Sequence, residues 1–164
     1  MIKYDLLVIG FGKAGKTLAA TFGNEGKKVA VVEESSEMYG GTCINIGCIP
    51  TKTLIVAADN KKEFKEAKAT RDTVVSKLNV KNFAMLDNNP NIDVYTASAK
   101  FVSNKVVEIS IDGETKQLEG DVVVINTGAK NNVLPIPGLT TSKNVYDSTQ
   151  FQKLESTPKT LGII

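Results

Sequence analysis

The sequence of 164 residues is long enough for one domain, or for one domain and a short part of a second. Its hydrophobic content of 41% and charged content of 23% are typical of a globular protein, and Lys alternates with Asp and Glu to give a net charge of +2. This balance argues against nucleic-acid and membrane-surface partners, which require a clustered basic face. No apolar run is long enough for a transmembrane helix and no signal peptide is visible, so we expect a cytoplasmic protein.

The first part of the chain is predicted to form one βαβ unit. Residues 4–9 and 28–32 have the short apolar pattern of buried parallel strands, and residues 16–23 have the spacing of a helix. A glycine-rich turn, Gly10-Phe-Gly-Lys-Ala-Gly15, connects the first strand to the helix. Strand, turn, helix and strand then follow one another within about thirty residues, the size of such a unit.

The glycine-rich turn is typical of a dinucleotide-binding site. Gly10 permits the tight turn out of the strand, Gly12 lets a pyrophosphate approach the backbone, and Gly15 lets the helix pack close to the sheet. Ala14 belongs to the same predicted binding set, since the phosphates would lie against the free N–H groups of the helix N-terminus. Glu33, at the end of the second strand, is placed to accept hydrogen bonds from the ribose hydroxyls. The alternative is a glycine turn that serves packing alone.

The remaining elements are predicted to be covering helices and short strands. The region 53–86 is polar and helical, and a break near Thr70 and Arg71 would divide it into two helices. A buried strand is predicted at residues 121–126 and an exposed turn at residues 135–138. Short antiparallel strands, with Asp112-Gly113 as a hairpin turn, are predicted at residues 92–96, 99–102, 105–111 and 115–119. The patterns predict an α/β, Rossmann-like domain with a parallel sheet, inserted helices and a small antiparallel β-meander.

The two cysteines of the chain, Cys43 and Cys48, allow three explanations. A structural disulfide would close only a short loop, which is worth about 2 kcal/mol and gains little in a reducing compartment. A metal site lacks ligands, because the chain has no other cysteine and no histidine, so we expect no metal. The third explanation, a redox-active pair, is favoured. Thiols a helical turn apart can meet with modest distortion, and a helix N-terminus stabilises a thiolate.

The cysteine segment, Gly40-Gly-Thr-Cys-Ile-Asn-Ile-Gly-Cys-Ile-Pro-Thr-Lys52, resembles the active-site segment of the class I pyridine nucleotide–disulfide oxidoreductases. This family includes glutathione reductase, dihydrolipoamide dehydrogenase and mercuric reductase. Residues 123–129 also resemble the second flavin segment of the family, usually written A-T-G, although Asn126 stands where alanine is usual. The resemblance therefore covers the whole chain.

One branch of the family is especially similar. It contains flavoproteins of bacterial reactive-chlorine resistance, which are described as hypothiocyanous acid reductases, with copper(II) reduction also proposed. The segments that carry this similarity are residues 9–17, 38–54 and 145–149. The alternatives are a mercuric-reductase-like or dihydrolipoamide-dehydrogenase-like enzyme, or a stand-alone nucleotide-binding module in which both cysteines are dispensable.

The resemblance implies a role for each matching residue. Cys43 would attack the substrate, and Cys48 would face the flavin as the charge-transfer thiol. Lys52 would lie near the isoalloxazine ring, where a positive charge favours reduced flavin; the alternative is a solvated lysine at a helix start. Ala99, or instead Ala97, would meet the adenine through its backbone. The residues implied to bind FAD are Gly10, Gly12, Ala14, Gly15, Glu33, Gly41, Thr42, Lys52, Ala99, Thr127 and Gly128.

The resemblance also implies an electron relay. Electrons would pass from NAD(P)H to FAD, then to the Cys43–Cys48 disulfide, and finally to an oxidised small-molecule substrate such as hypothiocyanous acid. The full-length relative would be a homodimer with no nucleic-acid or membrane partner. Residues 160–164 have the pattern of half a buried strand, so we expect a piece of a longer protein. Residues 1–157 would be an incomplete FAD-binding domain without its C-terminal return segment, and residues 158–164 would begin an NAD(P)-binding domain.

We therefore expect the isolated chain to bind FAD with reduced affinity and to show no turnover with NADH or NADPH. The physical reason is that the second glycine motif, which would hold the nicotinamide cofactor, lies outside residues 1–164. Oxidation of NADH and NADPH by the FAD-supplemented chain can be followed by absorbance. A rate equal to that of a full-length relative would contradict this expectation.

Overall fold

A six-stranded sheet forms the centre of the molecule in the computed structural model, which describes residues 1–164. The strands are β1 (Ile2–Ile9), β2 (Val29–Glu33), β3 (Ile92–Thr96), β4 (Ala99–Ser103), β5 (Val106–Ile111) and β6 (Glu114–Ile125). Their order across the sheet is β3-β2-β1-β6-β5-β4. The first four strands of this order are parallel, and β5 and β4 extend the sheet in antiparallel pairing. The α/β, Rossmann-like architecture with an antiparallel meander is thereby confirmed.

Five helices accompany the sheet. They are α1 (Lys13–Asn24), α2 (Thr42–Asn45), α3 (Cys48–Asp59), α4 (Phe64–Asp87) and α5 (Ser148–Phe151), with a single 3-10 turn at Ser36–Met38. The helix α1 packs against β1 and β2, as expected for the crossover of a βαβ unit, and α4 contacts α2 and α3. None of these helices combines the length and the apolar character needed to cross a lipid bilayer.

The core lies on both faces of β1, which explains why its second half, from Leu6 to Ile9, is apolar at every position. Leu6 and Val8 pack with α1 and α4 residues on one face. Leu7 and Ile9 pack on the other face with residues of β5 and β6, including Val107. A parallel strand that is covered on both faces cannot alternate apolar with polar residues. The predicted strand at residues 4–9 is therefore present, and it begins two residues earlier than the pattern indicated.

The long strand β6 joins the parallel and antiparallel parts of the sheet. It pairs antiparallel with β5 up to Glu119, and parallel with β1 from Leu118 to Ile125. At Gly120 a Cβ atom would lie 2.7 Å from the Leu7 Cβ, so only glycine permits this close approach of β6 to β1. The sequence predicted two strands, at residues 115–119 and 121–126, and the structure corrects this to one, because Gly120 does not interrupt the hydrogen-bonded ladder.

Two helix and strand predictions are wrong for identifiable reasons. The break near Thr70 and Arg71 does not occur. The Thr70 hydroxyl donates to the Glu66 carbonyl oxygen within α4 at 3.0 Å, and the chain reverses earlier, at residues 60–63, where Lys61 has a φ of 56°. Residues 92–96 form a strand, but it pairs parallel with β2. Polar residues occur in this strand because it is the outermost of the parallel strands, and Asp93 and Thr96 are exposed there.

The predicted hairpin turn is confirmed, whereas the strand predicted at the end of the chain is absent. The hairpin at Asp112-Gly113 is confirmed: both residues have positive φ, 53° and 83°, and Ile111 pairs with Glu114. The residues of the predicted turn at 135–138 are exposed. The predicted strand at residues 160–164 is absent, and these residues are exposed, because an apolar run becomes a strand only when a neighbouring strand pairs with it.

The junction in β6 can be tested with Gly120→Ala. The added Cβ must displace the Leu7 side chain or the Val122 carbonyl oxygen, which lies 2.9 Å from it, so the free energy of unfolding should fall by about 1–3 kcal/mol. Urea denaturation measures this loss. Gly162→Ala is the matched control, since no atom lies within 4 Å of its Cβ position. Equal stability of the two variants would show that β6 does not depend on this contact.

Candidate active site

The predicted site residues gather at the carboxyl edge of the parallel strands. Gly10 follows β1, Glu33 ends β2, Ala97 follows β3, and Thr127 follows β6. Parallel strands that run in the same direction end at one edge of the sheet, and the crossovers leave a crevice there between β1 and its neighbours. Residues from four distant parts of the sequence therefore meet.

A pocket of about 230 Å³ lies at this edge. The structure brings together Gly10, Glu33, Ala97, Ala99 and Thr127 in its wall, as the sequence predicted for an adenosine site. Both alternatives for the adenine-contacting alanine line the pocket, so the geometry does not choose between them. The other lining residues are Ile9, Val32, Glu34 and Ser98.

The Glu33 carboxylate is held in a defined position beside the glycine-rich turn. One oxygen accepts a hydrogen bond from the Phe11 backbone N–H at 2.8 Å, and the other accepts one from the Ser35 N–H at 3.2 Å. These bonds fix the negative charge at the end of β2, where the sequence predicted a ribose partner. Glu34 points to another partner, since its carboxylate accepts a hydrogen bond from the Ser98 hydroxyl at 3.1 Å.

The N-terminus of α1 offers free hydrogen-bond donors. Gly12 is the N-cap residue and supplies no side-chain cap. The backbone N–H groups of Lys13, Ala14 and Gly15 have no acceptor within the chain. The helix has 12 residues, so its dipole adds positive potential at this end. This is the arrangement that binds phosphate groups in proteins.

Asn126 braces the glycine-rich turn, a role that sequence reasoning missed. Its Nδ2 atom donates to the Gly10 carbonyl oxygen at 3.2 Å. The same atom lies 2.8 Å from the position of a Cβ at Gly12 and 2.7 Å from one at Gly15. The asparagine that replaces the usual alanine of the family therefore fills the space under the turn. The available signal was a polar residue directly after an apolar run predicted to be a buried strand; in the structure that part of β6 is partly exposed.

The cysteine segment packs directly on the same turn. Gly41 has a φ of 78°, and a Cβ atom there would lie 2.7 Å from the Gly12 Cα. Only glycine at position 41 allows the two backbones to approach this closely. Thr42, predicted to approach the pyrophosphate, follows at once as the first residue of α2. The cofactor turn and the redox segment therefore form one continuous surface.

Asn45 anchors the cysteine segment to the body of the domain. This buried side chain donates from Nδ2 to the carbonyl oxygens of Tyr39 and Gly41, both at 2.9 Å. Its Oδ1 accepts a hydrogen bond from Asn79 of α4 at 3.0 Å. Sequence reasoning did not identify Asn45, because its role depends on a helix that lies far away in the chain.

The Cys48 thiol lies close enough to Cys43 to shift its titration. Cys43 is the second residue of α2, Cys48 is the first residue of α3, and both thiols are free and exposed. A hydrogen bond with the Cys48 thiol, together with partial burial, raises the pKa of Cys43. The Cys48 backbone N–H and the positive charge of Lys52 oppose this rise. The structure thus brings the predicted redox pair together.

Lys52 and Gly128 are among the predicted residues that do not line the pocket at the sheet edge. Lys52 is exposed one turn after Cys48, and it lines a separate cleft of about 320 Å³ between α3 and α4. Gly128 has a φ of 74° and is exposed next to Thr127, with no atom within 4 Å of its Cβ position. The roles of Lys52 and Gly128 toward a flavin ring therefore stay predictions.

A Rossmann-like domain whose phosphate-binding turn carries a cysteine pair on its surface defines the nucleotide-binding part of a disulfide oxidoreductase. Residues 4–164 match the family described as pyridine nucleotide-disulphide oxidoreductase, and the chain belongs to this family. The resemblance seen in the sequence is confirmed.

Sequence identity to individual relatives shows how similar the chain is to different members of the family. It is 48% identical over its whole length to the probable pyridine nucleotide-disulfide oxidoreductase RclA of Escherichia coli, of which it spans 37%. It is 33% identical to dihydrolipoyl dehydrogenase of Thermus scotoductus, with 100% of the chain and 37% of the relative aligned. It is 28% identical to mercuric reductase of Staphylococcus aureus, with 98% of the chain and 31% of that protein aligned. The chain therefore spans about a third of the length of these relatives.

Solved structures agree with this placement. The Cu(II) complex of the HOCl-induced flavoprotein disulfide reductase RclA from Escherichia coli superposes with a TM-score of 0.92. That match has 47% identity and covers 95% of this chain and 35% of the other. A second RclA structure from the same organism gives a TM-score of 0.88 at 48% identity, covering 93% of this chain and 34% of the other.

The thiol–thiol contact predicts that Cys48→Ala makes Cys43 more reactive. Loss of the hydrogen bond that stabilises the neutral Cys43 thiol lowers its pKa, so more thiolate is present at neutral pH. Alkylation of Cys43 by iodoacetamide should be about two- to tenfold faster at pH 7 than in the fully reduced parent chain, with both sites quantified by peptide mass spectrometry. Because the parent pKa is raised, its rate should increase with pH to a midpoint above that of an ordinary thiol.

Cys48→Ser is the matched control, since its hydroxyl retains a hydrogen-bonding group. Its alkylation rate should lie between those of the parent and the alanine variant. A slower Cys43 in the alanine variant would contradict the contact.

Proposed function

We propose that this chain is the FAD-binding, redox-disulfide part of an NAD(P)H-dependent reductase that acts on an oxidised small molecule such as hypothiocyanous acid. One observation carries the proposal: the backbone contact between Gly41 and Gly12 holds the cysteine pair against the phosphate-binding turn. A cofactor bound along that turn would be adjacent to Cys43 and Cys48 without any rearrangement of the fold.

The residues present fit FAD. The pocket at the sheet edge, with Glu33 fixed in its wall, would take the adenosine, as Gly10, Thr127 and the backbone near Ala97 and Ala99 surround it. The free N–H groups at the start of α1 would bind the phosphates. When bound, FAD supplies the chemistry that carries electrons from NAD(P)H to the disulfide. NAD(P)H binding and dimer formation are proposals for the longer protein.

The two thiols of the reduced chain are sufficient for the substrate half of the reaction. The Cys43 thiolate attacks the electrophilic sulfur of hypothiocyanous acid, forming an S–S bond and releasing hydroxide, which takes up a proton to become water. The Cys48 thiolate then attacks the Cys43 sulfur and releases thiocyanate, leaving the Cys43–Cys48 disulfide. Two electrons pass from the dithiol to the substrate. The exposure of both thiols supports direct attack on a small molecule. The order, with Cys43 first, is the one that the family resemblance implies.

The comparisons support the RclA-like substrate class over the two alternatives. The identity to RclA, 48%, is well above the 33% to a dihydrolipoyl dehydrogenase and the 28% to a mercuric reductase. The solved RclA structures describe that protein as a flavoprotein disulfide reductase. We therefore extend the disulfide reductase activity to this chain as part of the proposal.

The proposal predicts a flavin–thiolate signature. The chain saturated with FAD should develop a long-wavelength absorption band when a dithiol reduces its disulfide, because the Cys48 thiolate would then lie against the flavin. Cys43→Ser should show the band without added dithiol, since its Cys48 cannot form the disulfide. Cys48→Ser should not show it under either condition. Absorption spectra of the three proteins at equal bound FAD check this.

Free FAD with dithiol is the control for cofactor reduction in solution. A chain that binds FAD but gives the same spectrum in all three forms would be a nucleotide-binding module without a redox role for its cysteines. That outcome would sink the proposal.

A further inference from the structure

The loop between the two cysteines contains a buried asparagine whose amide donors and acceptor are all paired. Asn45 is only 8% exposed. Its Nδ2 donates to the carbonyl oxygens of Tyr39 and Gly41, and its Oδ1 accepts from Asn79 of α4. A buried amide with each of these groups satisfied is held in one orientation, because any rotation would leave a polar group without a partner. The backbone that carries Asn45 is therefore fixed between the two cysteines.

Asn79 connects this loop to a second segment of the chain. From α4, its Nδ2 donates to the Asn45 Oδ1 at 3.0 Å and to the Ser36 carbonyl oxygen at 3.1 Å. Ser36 begins the 3-10 turn that precedes the cysteine segment. The helix α4 has 24 residues and packs against α3, of which Cys48 is the first residue. One side chain of a long helix thus holds the chain both before and after Cys43.

Backbone hydrogen bonds close the same loop at its two ends. The N–H groups of Ile46 and Gly47 both donate to the Thr42 carbonyl oxygen, at 3.0 Å and 2.7 Å. Thr42 and Gly47 directly precede Cys43 and Cys48. A Cβ atom at Gly47 would lie 3.0 Å from the Thr42 carbonyl oxygen, so the two backbones are in close contact. The attachment points of the two thiols are therefore held near each other while both cysteines are free.

We propose that the Asn45–Asn79 hydrogen bond positions the cysteine loop so that the Cys43–Cys48 disulfide is favoured over the dithiol, which lowers the reduction potential of the pair. The two asparagines are positioning residues, because they act through the backbone of the loop. The inference rests on the proposed function in taking the two cysteines as a redox pair. A disulfide requires one short separation, and a dithiol already held there loses less conformational entropy when the S–S bond closes.

The test is a redox titration of the chain without FAD, in mixtures of reduced and oxidised dithiothreitol at pH 7. Dithiothreitol loses two electrons and two protons as it closes to its cyclic disulfide, and the Cys43–Cys48 disulfide takes them up to become two thiols. N-ethylmaleimide traps the free thiols at each ratio, and peptide mass spectrometry quantifies both cysteines. The oxidised fraction as a function of the ratio gives the equilibrium constant for disulfide formation.

Asn79→Ala removes the donor to Asn45 without a change in the cysteine loop. The equilibrium constant should fall by about three- to tenfold, a rise of about 15 to 30 mV in reduction potential at about 30 mV per tenfold change. Asn45→Ala should shift it in the same direction by at least as much. Asn24→Ala is the matched control, since Asn24 accepts a hydrogen bond from Asn89 at 2.9 Å in an exposed asparagine pair at the C-terminal end of α1. Its constant should stay within about twofold of that of the parent.

The reduction potential separates a positioning role from a purely structural one. Circular dichroism verifies that each variant is folded, and in concentrated urea all four chains should give the same constant, because the anchored loop is lost there. Equal constants for the folded parent, Asn79→Ala and Asn45→Ala would show that the asparagines serve packing alone and would overturn the inference. A higher constant in the variants would overturn it too, since the anchor would then oppose the disulfide. An equal shift in Asn24→Ala would have the same consequence.

The titration also distinguishes failure of this inference from failure of the proposed function. If the parent chain forms no Cys43–Cys48 disulfide at any ratio, both are rejected. If the parent forms the disulfide and the variants keep its equilibrium constant, only the role of the asparagines is rejected. A shifted constant in Asn79→Ala supports the positioning role even if the FAD-saturated chain lacks the long-wavelength band.

Discussion

The backbone contact between Gly41 and Gly12 is the constraint on which the rest of the site depends. It brings the start of α2, with Cys43, against the start of α1, where the backbone N–H groups are free. Any side chain at position 41 would separate the two backbones, since its Cβ would lie 2.7 Å from the Gly12 Cα. The proposed cofactor-binding turn and the cysteine pair, which consist of different residues, are joined in space by this contact.

Three hydrogen-bonded side chains support the contact. Asn126 donates to the Gly10 carbonyl oxygen and so holds the glycine-rich turn. Asn45 connects the cysteine segment to α4 through Asn79. The Glu33 carboxylate holds the turn through the Phe11 N–H. These polar side chains are partly or fully buried and hydrogen-bonded, so they specify one geometry instead of several similar ones.

Sequence reasoning predicted well where local chemistry dictates local structure. The glycine spacing from Gly10 to Gly15 indicated a strand–turn–helix unit, because the turn and the helix start depend on residues that are adjacent in the chain. The hairpin at Asp112-Gly113 is a similar case, since both positions require positive φ. Sequence reasoning failed where a neighbouring strand determines the structure. The alternation in β3 predicted an antiparallel strand, and only its pairing with β2 shows that it is a parallel edge strand.

By itself, the sequence determined the class of chemistry, since the spacing of Cys43 and Cys48 and the glycine-rich turn are each specified within a few residues. The tertiary structure alone decided which groups act on one another. The contact between Gly41 and Gly12, the bracing by Asn126 and the continuity of β6 through Gly120 all arise from contacts with distant parts of the chain. Burial, hydrogen-bond pairing and electrostatic environment are properties of neighbours in space, and a linear pattern does not contain those neighbours.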